Sequence, residues 1–156
     1  MSSSREVYLK CKAQGDKYEA ELLKYISYKT LEKADGYMPE WDIKATDEKG
    51  GSITYEVKSD DIGGRTGNMC VEHSASGRPS GISLTTADWW ANFTILNEGL
   101  SYRLHLIPTS VIKKLIEEKK YTRDIKGGEG FKSQFYLFPL KMFSEYEKEV
   151  KKKCLI

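Results

Sequence analysis

Residues 41–58, WDIKATDEKGGSITYEVK, predict a β-hairpin on which the rest of the fold is organised. Apolar and polar residues alternate on both arms, which is typical of half-buried strands. Residues 47–51 separate the arms and include two glycines, which suit a loop that needs positive φ angles. If the hairpin is centred on Lys49, Asp42 and Glu56 stand opposite each other on one face of the sheet.

Two carboxylates in this arrangement need an explanation, because like charges placed directly opposite each other on a sheet are destabilising. The pair Asp42 and Glu56 therefore indicates that a positive charge lies between them. Mg²⁺ is an economical candidate, since it prefers hard carboxylate oxygens, and Lys58 follows on the same face. The alternative is that both acids are solvated, with Lys44 and Lys58 as counter-charges. The spacing alone leaves both interpretations open.

The composition excludes several classes of protein. The 156 residues, 39 % hydrophobic and 31 % charged, predict one domain, 1–156, with a sizeable core. No apolar run approaches the roughly 20 residues of a membrane span, and the N-terminus lacks an apolar signal core. We therefore expect no membrane partner, no secretion, and a location in the cytoplasm, a viral host's cytoplasm, or the nucleoplasm. The three cysteines are too few for a disulfide framework or a zinc site.

Residues 14–33 predict the first helix. On a helical wheel Leu22, Leu23 and Ile26 share one face with Glu19. An acid on the face that packs against a core costs free energy unless it is paired or bound to a cation. If this helix packs beside the hairpin, Glu19 is a third acid of the same cluster. The alternative is a glutamate at the edge of the core that bonds to a backbone group or a lysine.

The remaining chain predicts alternating strands, helices and loops. Strands are expected at 68–73, antiparallel to the second arm of the hairpin, and at 102–107 and 135–140. Helices are expected from a capping-box pattern at Thr85-Thr86-Ala87-Asp88, from 108 to about 120, and over 141–153. Polar, glycine-rich loops are expected at 59–67, 74–84 and 121–134. Glu72 joins the acids only if its strand face is the one that carries Asp42.

This order of elements resembles the PD-(D/E)XK nuclease superfamily, in particular archaeal-type Holliday junction resolvases and phage- or virus-encoded members. The matching features are a helix with an inward Glu19, a strand with Asp42, and a strand with Glu56-Val57-Lys58. Trp41 stands where the family often has proline. The resemblance implies an α/β (α+β) fold with a restriction-endonuclease-like core, a central mixed sheet of four to five strands flanked by helices. That core would span about 14–107, with 108–156 as an elaboration.

The resemblance also implies a function, a metal-dependent endonuclease that hydrolyses DNA and leaves a 5′-phosphate. Asp42, Glu56 and the backbone carbonyl of Val57 would bind Mg²⁺, with Mn²⁺ able to substitute, and Glu19 would bind directly or through water. Lys58 would orient or help deprotonate the attacking water. Because the sequence has no recognition helix or zinc finger, the expected action is structure-selective or weakly sequence-specific. Two alternatives remain open: a non-catalytic nucleic-acid-binding module with the nuclease fold, and a nuclease that acts on RNA.

Positive charge is concentrated toward the C-terminus. Residues 109–156 carry 12 basic and 7 acidic side chains, against 13 and 16 in residues 1–108, and this imbalance permits a polyanionic partner. The expected phosphate contacts lie there and in the two loops that precede it. These residues are Arg65, Arg78, Ser80, Lys113, Lys114, Lys119, Lys120, Arg123 and Lys126. A homodimer would provide two active sites for symmetric cutting of two strands.

Overall fold

The computed structural model describes residues 3–35, 38 and 40–149. Within these residues the helices are α1 (Ser4–Leu22), α2 (Ile62–Thr66) and α3 (Thr109–Glu117). The strands are β1 (Thr30–Lys33), β2 (Ile43–Thr46), β3 (Ser52–Asp60), β4 (Asn68–Ala75), β5 (Arg78–Pro79), β6 (Trp89–Leu96), β7 (Ser101–Pro108), β8 (Arg123–Gly127), β9 (Ser133–Pro139) and β10 (Glu147–Lys148). None of the described helices is long and apolar enough to cross a membrane.

The strands form two sheets. The larger has the order β1-β2-β3-β6-β7-β10, in which only β3 and β6 are parallel neighbours. The smaller is antiparallel, with the order β5-β4-β9-β8. The prediction of a mixed α/β fold with a mixed central sheet is confirmed. The predicted strand number was wrong, because the mixed sheet has six strands, and the second sheet was not predicted.

The predicted hairpin is confirmed as β2 and β3. Ile43 lies opposite Tyr55, so one step beyond the paired residues Asp42 stands opposite Glu56, as the sequence indicated. The loop is closed by Asp47, whose Oδ1 accepts hydrogen bonds of 2.9 Å from two backbone N–H groups of the turn. The local sequence therefore determines both the hairpin and its register.

The six-stranded sheet has a different layer on each face. Tyr18 and Leu22 of α1 pack on one face, together with Ile43, Tyr55, Ala91, Phe93, Leu104 and Leu106. The second sheet and α3 cover the opposite face, where the buried cluster contains Met69, Val71, Trp90, Ile107, Ile112 and Phe138. Side chains of a strand alternate between faces, and Tyr55 and Val57 pack toward α1. Glu56 and Lys58 consequently point to the side of the second sheet.

The first helix differs from its prediction at both ends. It begins at Ser4 because Ser3 and Glu6 form a reciprocal capping box, a signal that the prediction of 14–33 overlooked. It ends at Leu22, and Thr30–Lys33 form β1 instead, paired with β2 at the edge of the sheet. Pairing with β2 outweighs the helical periodicity of this segment.

The segment after the hairpin also differs. Residues 59–67 are not a loop, since β3 continues to Asp60 and the short helix α2 follows. The strand predicted at 68–73 exists as β4, but it pairs with β9 in the second sheet rather than with β3. The neighbour of β3 is β6, in parallel orientation. Residues 74–84 contain β5 and a 3₁₀ turn rather than only a loop.

The helix predicted from Thr85 is the strand β6. The Thr85 hydroxyl donates to the Glu40 carbonyl at 2.8 Å, and Asp88 accepts from the Thr54 backbone N–H at 2.9 Å, so both capping residues bond to the neighbouring chain. Residues 90–94 are fully buried between β3 and β7, which a one-sided helix would not achieve.

The C-terminal part confirms two elements and corrects two. The strand at 102–107 is β7, and the helix after Pro108 is α3, whose Ile112 is buried. The strand at 135–140 corresponds to β9, but the loop predicted at 121–134 contains β8 and the start of β9. The helix predicted over 141–153 is wrong through residue 149, where a 3₁₀ segment, Leu140–Tyr146, precedes β10. Residues 150–153 lie outside the described part.

Candidate active site

Strand β3 presents Glu56 and Lys58 side by side, because residues two apart on a strand share a face. Lys58 Nζ lies 3.2 Å from Glu56 Oε1, and the lysine side chain is 36 % exposed while that of the glutamate is 8 % exposed. The same ammonium lies 5.7 Å from the centroid of the Trp90 ring on β6. The partly exposed lysine side chain therefore contacts a carboxylate that is itself buried.

Asp42 joins this pair from the chain just before β2. Its Oδ2 accepts a hydrogen bond of 2.8 Å from the backbone N–H of Val57, which fixes the carboxylate beside β3. No hydrogen bond from a described residue ends on its other oxygen. The hairpin thus holds two carboxylates and one ammonium together with little freedom.

The carbonyl of Val57 points toward Asp42. Successive peptide groups of a strand point to alternate sides; the N–H of Thr54 bonds to Asp88, next to β6, and the N–H of Val57 bonds to Asp42. The carbonyl of Val57 shares the direction of its own N–H. Because β2 begins at Ile43, no paired strand residue stands opposite this carbonyl. Two carboxylates and a carbonyl, all hard oxygen donors, fit the donor chemistry of Mg²⁺.

Glu56 is the most perturbed acid of the site. Burial raises its pKa from 4.5 to about 7, the charge of Asp42 adds to the rise, and Lys58 and the Thr85 hydroxyl only partly offset it. The Thr85 hydroxyl lies 3.3 Å from Glu56 Oε2. Near neutral pH the carboxyl therefore exchanges a proton readily, a property often found at functional sites.

Burial and neighbouring charges also shift the pKa values of Asp42 and Lys58. Burial also raises the pKa of Asp42, although the Val57 N–H, Lys58 and Lys33 oppose this rise. Burial by itself would lower the pKa of Lys58, but Glu56 and Asp42 outweigh it and the net pKa is raised. Lys58 is consequently an ammonium at neutral pH, and the cluster holds two acids that resist ionising together.

Glu19 lies close enough to this cluster to interact electrostatically with Asp42. Its Oε2 pairs with Lys33 Nζ at 3.0 Å, which matches the alternative that this glutamate bonds to a lysine. Burial raises its pKa, Lys33 opposes the rise, and the charge of Asp42 contributes to it. The two carboxylates, Asp42 and Glu19, are therefore near enough for their charges to interact. Among the described residues, no three His, Cys, Asp or Glu side chains are grouped closely enough to form a metal site on their own.

Two of the predicted phosphate-binding residues form hydrogen bonds with residues near the acids. Lys113 Nζ donates to the backbone carbonyl of Thr85 at 2.8 Å, and the hydroxyl of that threonine reaches Glu56. Ser80 donates to Glu72 Oε2 at 3.0 Å, and the charge of Glu72 contributes to raising the pKa of Lys58. Glu72 is thus on the side of Lys58, although it is tied to Ser80.

The other predicted phosphate-binding residues lie on several elements. All seven are exposed, and they are distributed over α2, β5, α3 with its following turn, and β8. They are Arg65, Arg78, Lys114, Lys119, Lys120, Arg123 and Lys126. Arg65 lines a cleft of about 970 Å³ between α1, α2 and the ends of β3 and β6. Lys113 and Ser80, by contrast, are linked to the neighbourhood of the acids through Thr85 and Glu72.

Three side chains near Lys58 and Glu56 were not predicted as site residues from the sequence. They are Thr85, Trp90 and Asn92, of which Trp90 and Asn92 are fully buried on β6. A usable signal existed in the run WWANFTIL, residues 89–96. Read with the two-residue period of a strand, it places Trp90 and Asn92 on one face.

Neither a protein-family model, nor a curated protein sequence, nor a solved structure matches this chain. The function is therefore inferred from the site itself.

Proposed function

We propose that this protein is a Mg²⁺-dependent nuclease that hydrolyses phosphodiester bonds in DNA. It selects its substrates by the structure of the DNA more than by its sequence. The observation that carries the proposal is the group of Asp42, Glu56 and Lys58. Two carboxylates stand opposite each other in a partly buried hairpin, at a cost in free energy, and an ammonium lies 3.2 Å from one of them. A divalent cation between the acids would remove that cost. On this proposal α1, β1–β3 and β6 correspond to the core of the PD-(D/E)XK superfamily.

The groups that would hold the ion are the carboxylates of Asp42 and Glu56 and the carbonyl of Val57. Glu19 would take part only after leaving Lys33, or through a water molecule, because it now pairs with that lysine at 3.0 Å. When bound, Mg²⁺ neutralises phosphate charge and lowers the pKa of an attacking water.

The role of Lys58 follows from its charge. Because the acids raise its pKa, it enters the reaction as an ammonium, which donates hydrogen bonds and stabilises negative charge developing on the phosphate. In this state it orients the attacking water rather than removing its proton. Thr85 helps to hold Glu56 in place, and Lys113, bonded beside it, is the cation best placed to contact an adjacent phosphate.

The test is a cleavage assay with Mg²⁺ or Mn²⁺ on linear duplex, single strand, flap, four-way junction and RNA. Lys58→Ala should abolish cleavage of the preferred DNA while its affinity stays within about threefold, since one contact among several phosphate contacts is lost. Lys49→Ala, at the exposed turn of the same hairpin, is the matched control and should cleave like the wild type. Products that can be ligated directly would identify the expected 5′-phosphate and 3′-hydroxyl ends.

The same assay distinguishes the alternatives. Cleavage by Lys58→Ala at the wild-type rate would remove Lys58 from the mechanism. Tight, salt-sensitive DNA binding without cleavage by the wild type would favour a non-catalytic module, and cleavage of RNA alone would favour a ribonuclease. Symmetric cutting of a junction would further imply two copies of the chain. Substrate DNA would be met in the cytoplasm or nucleoplasm.

A further inference from the structure

Asn92 is a buried polar residue whose amide oxygen has no described hydrogen-bond donor. It lies on β6 directly opposite Lys58 of β3, and it is 1 % exposed. Its Nδ2 donates to Thr94 Oγ1 at 3.4 Å, which orients the amide. Its Oδ1 is buried, and no described residue donates a hydrogen bond to it. A buried acceptor without a donor is costly, so its retention calls for a partner.

Donors without a described acceptor lie on Trp90, two residues before Asn92 on β6, and on His105, opposite Asn92 on β7. Lys58, opposite Asn92 on β3, is the charged donor among these neighbours. An ammonium carries three N–H donors, and in this structure one is directed at Glu56 Oε1 at 3.2 Å. The side chain already leans from β3 across β6, since its Nζ lies 5.7 Å from the centre of the Trp90 ring, and Trp90 is two residues before Asn92 on the same face. Neighbouring strands are about 4.8 Å apart, a distance that the four-carbon stem of a lysine spans easily.

We propose that Asn92 is a positioning residue for Lys58: its Oδ1 accepts the lysine ammonium when Glu56 is engaged elsewhere. Lys58 then has two alternative hydrogen-bond acceptors, the carboxylate of Glu56 and the amide oxygen of Asn92. This inference rests on the proposed function, in which a cation takes up the Glu56 carboxylate. A lysine released by that event would otherwise be free to rotate into solvent, toward which its side chain is already 36 % exposed. Held by Asn92, it stays beside the reacting phosphate.

The first experiment needs neither metal nor activity. In a crystal structure of Glu56→Ala, which removes the competing acceptor, Lys58 Nζ should lie within hydrogen-bond distance of Asn92 Oδ1. A lysine found in solvent or on Asp42, with Asn92 Oδ1 still lacking a donor, would overturn the inference. This outcome is independent of whether the protein is a nuclease.

The second experiment measures cleavage. Asn92→Leu, of similar volume, should lower the cleavage rate constant about tenfold to a hundredfold, the loss expected for a hydrogen bond to a charged group, with unchanged DNA affinity. Its stability should match or exceed that of the wild type, because an unpaired buried polar group is removed. Thr109→Val is the matched control: it removes another buried hydroxyl without a described partner, on α3 rather than beside Lys58, and should cleave normally.

The outcomes separate the two proposals. A wild type that cleaves nothing ends the proposed function, and the Glu56→Ala structure still decides the role of Asn92. A wild type that cleaves, with Asn92→Leu equally fast, leaves the nuclease intact and rejects Asn92 as a positioning residue. If Asn92→Leu were slow because the fold is damaged, its denaturation midpoint would fall below that of the wild type, and that result also counts against the inference.

Discussion

Replacing Glu56 by Gln should stabilise the metal-free protein at neutral pH. Burial, more than the neighbouring charges, raises the pKa of this carboxyl from 4.5 to about 7. Each pKa unit corresponds to about 1.4 kcal/mol of differential interaction between the two protonation states. The ionised carboxylate therefore costs the folded state about 3 kcal/mol at pH 7 and above, and Gln, which resembles the protonated acid, avoids that cost.

The raised pKa of Glu56 determines the direction in which stability changes with pH. Between pH 4.5 and about 7 the folded protein retains a proton that the unfolded chain releases, so the contribution of Glu56 to stability declines as the pH rises through this window. Below pH 4.5 both states are protonated, and the variant should equal the wild type. The measurement is urea denaturation of both proteins from pH 4 to pH 9, without divalent cations. The difference between the two free energies of unfolding should grow to about 3 kcal/mol and then level off.

Glu48→Gln is the matched control, because this glutamate is exposed in the turn of the same hairpin. It should change the free energy of unfolding by less than about 0.5 kcal/mol at every pH. A Glu56→Gln protein that is less stable than the wild type at pH 7 would refute the reasoning. It would mean that the attraction between Glu56 and Lys58, 3.2 Å apart, outweighs the cost of burying the carboxylate.

Three further predictions test other parts of the structure. At pH 8, Mg²⁺ at a hundred times its dissociation constant should stabilise the wild type by about 2.7 kcal/mol, and Asp42→Asn should gain far less in the same titration. Because burial lowers the pKa of His105, its contribution to wild-type stability should fall as the pH drops below about 6.5, opposite in sign to that of Glu56, and the difference in the free energy of unfolding from His105→Phe should show this loss. Gly77→Ala, with a positive φ but open space around it, should cost about 1 kcal/mol, whereas Gly81→Ala, whose Cβ would collide with the Glu72 carbonyl, should cost roughly 2–4 kcal/mol by thermal denaturation.

The hairpin could be predicted because its determinants are local. Asp47 and the following glycines specify the turn, alternation specifies the buried face, and together they fix the register without reference to any other segment. From this register the opposition of Asp42 and Glu56, and the position of Lys58 on the same face, follow directly. The same logic identified β7 and α3, whose patterns are also local.

β6 could not be predicted in this way. The residues before it, Thr85 to Asp88, match a helix cap, and a run of eight residues of which six are apolar is compatible with a buried strand or a helix. Residues 89–96 form a strand because they pair in parallel with β3, to which the chain returns only after α2, β4 and β5. Such a nonlocal pairing leaves no short-range signal. The expected neighbour, β4, was therefore assigned to the wrong sheet.

The same division applies within the site. The acids and the lysine come from one hairpin, and their arrangement is local; the groups that set their chemistry come from residues 85–92. Thr85 lies 3.3 Å from the Glu56 carboxylate, and the buried strand that starts at Trp89 contributes Trp90 and Asn92 beside Lys58. A solvated pair of acids on an open sheet face would keep ordinary pKa values. It is the parallel strand, together with the second sheet that covers this face, that turns the hairpin's charges into a buried and perturbed cluster.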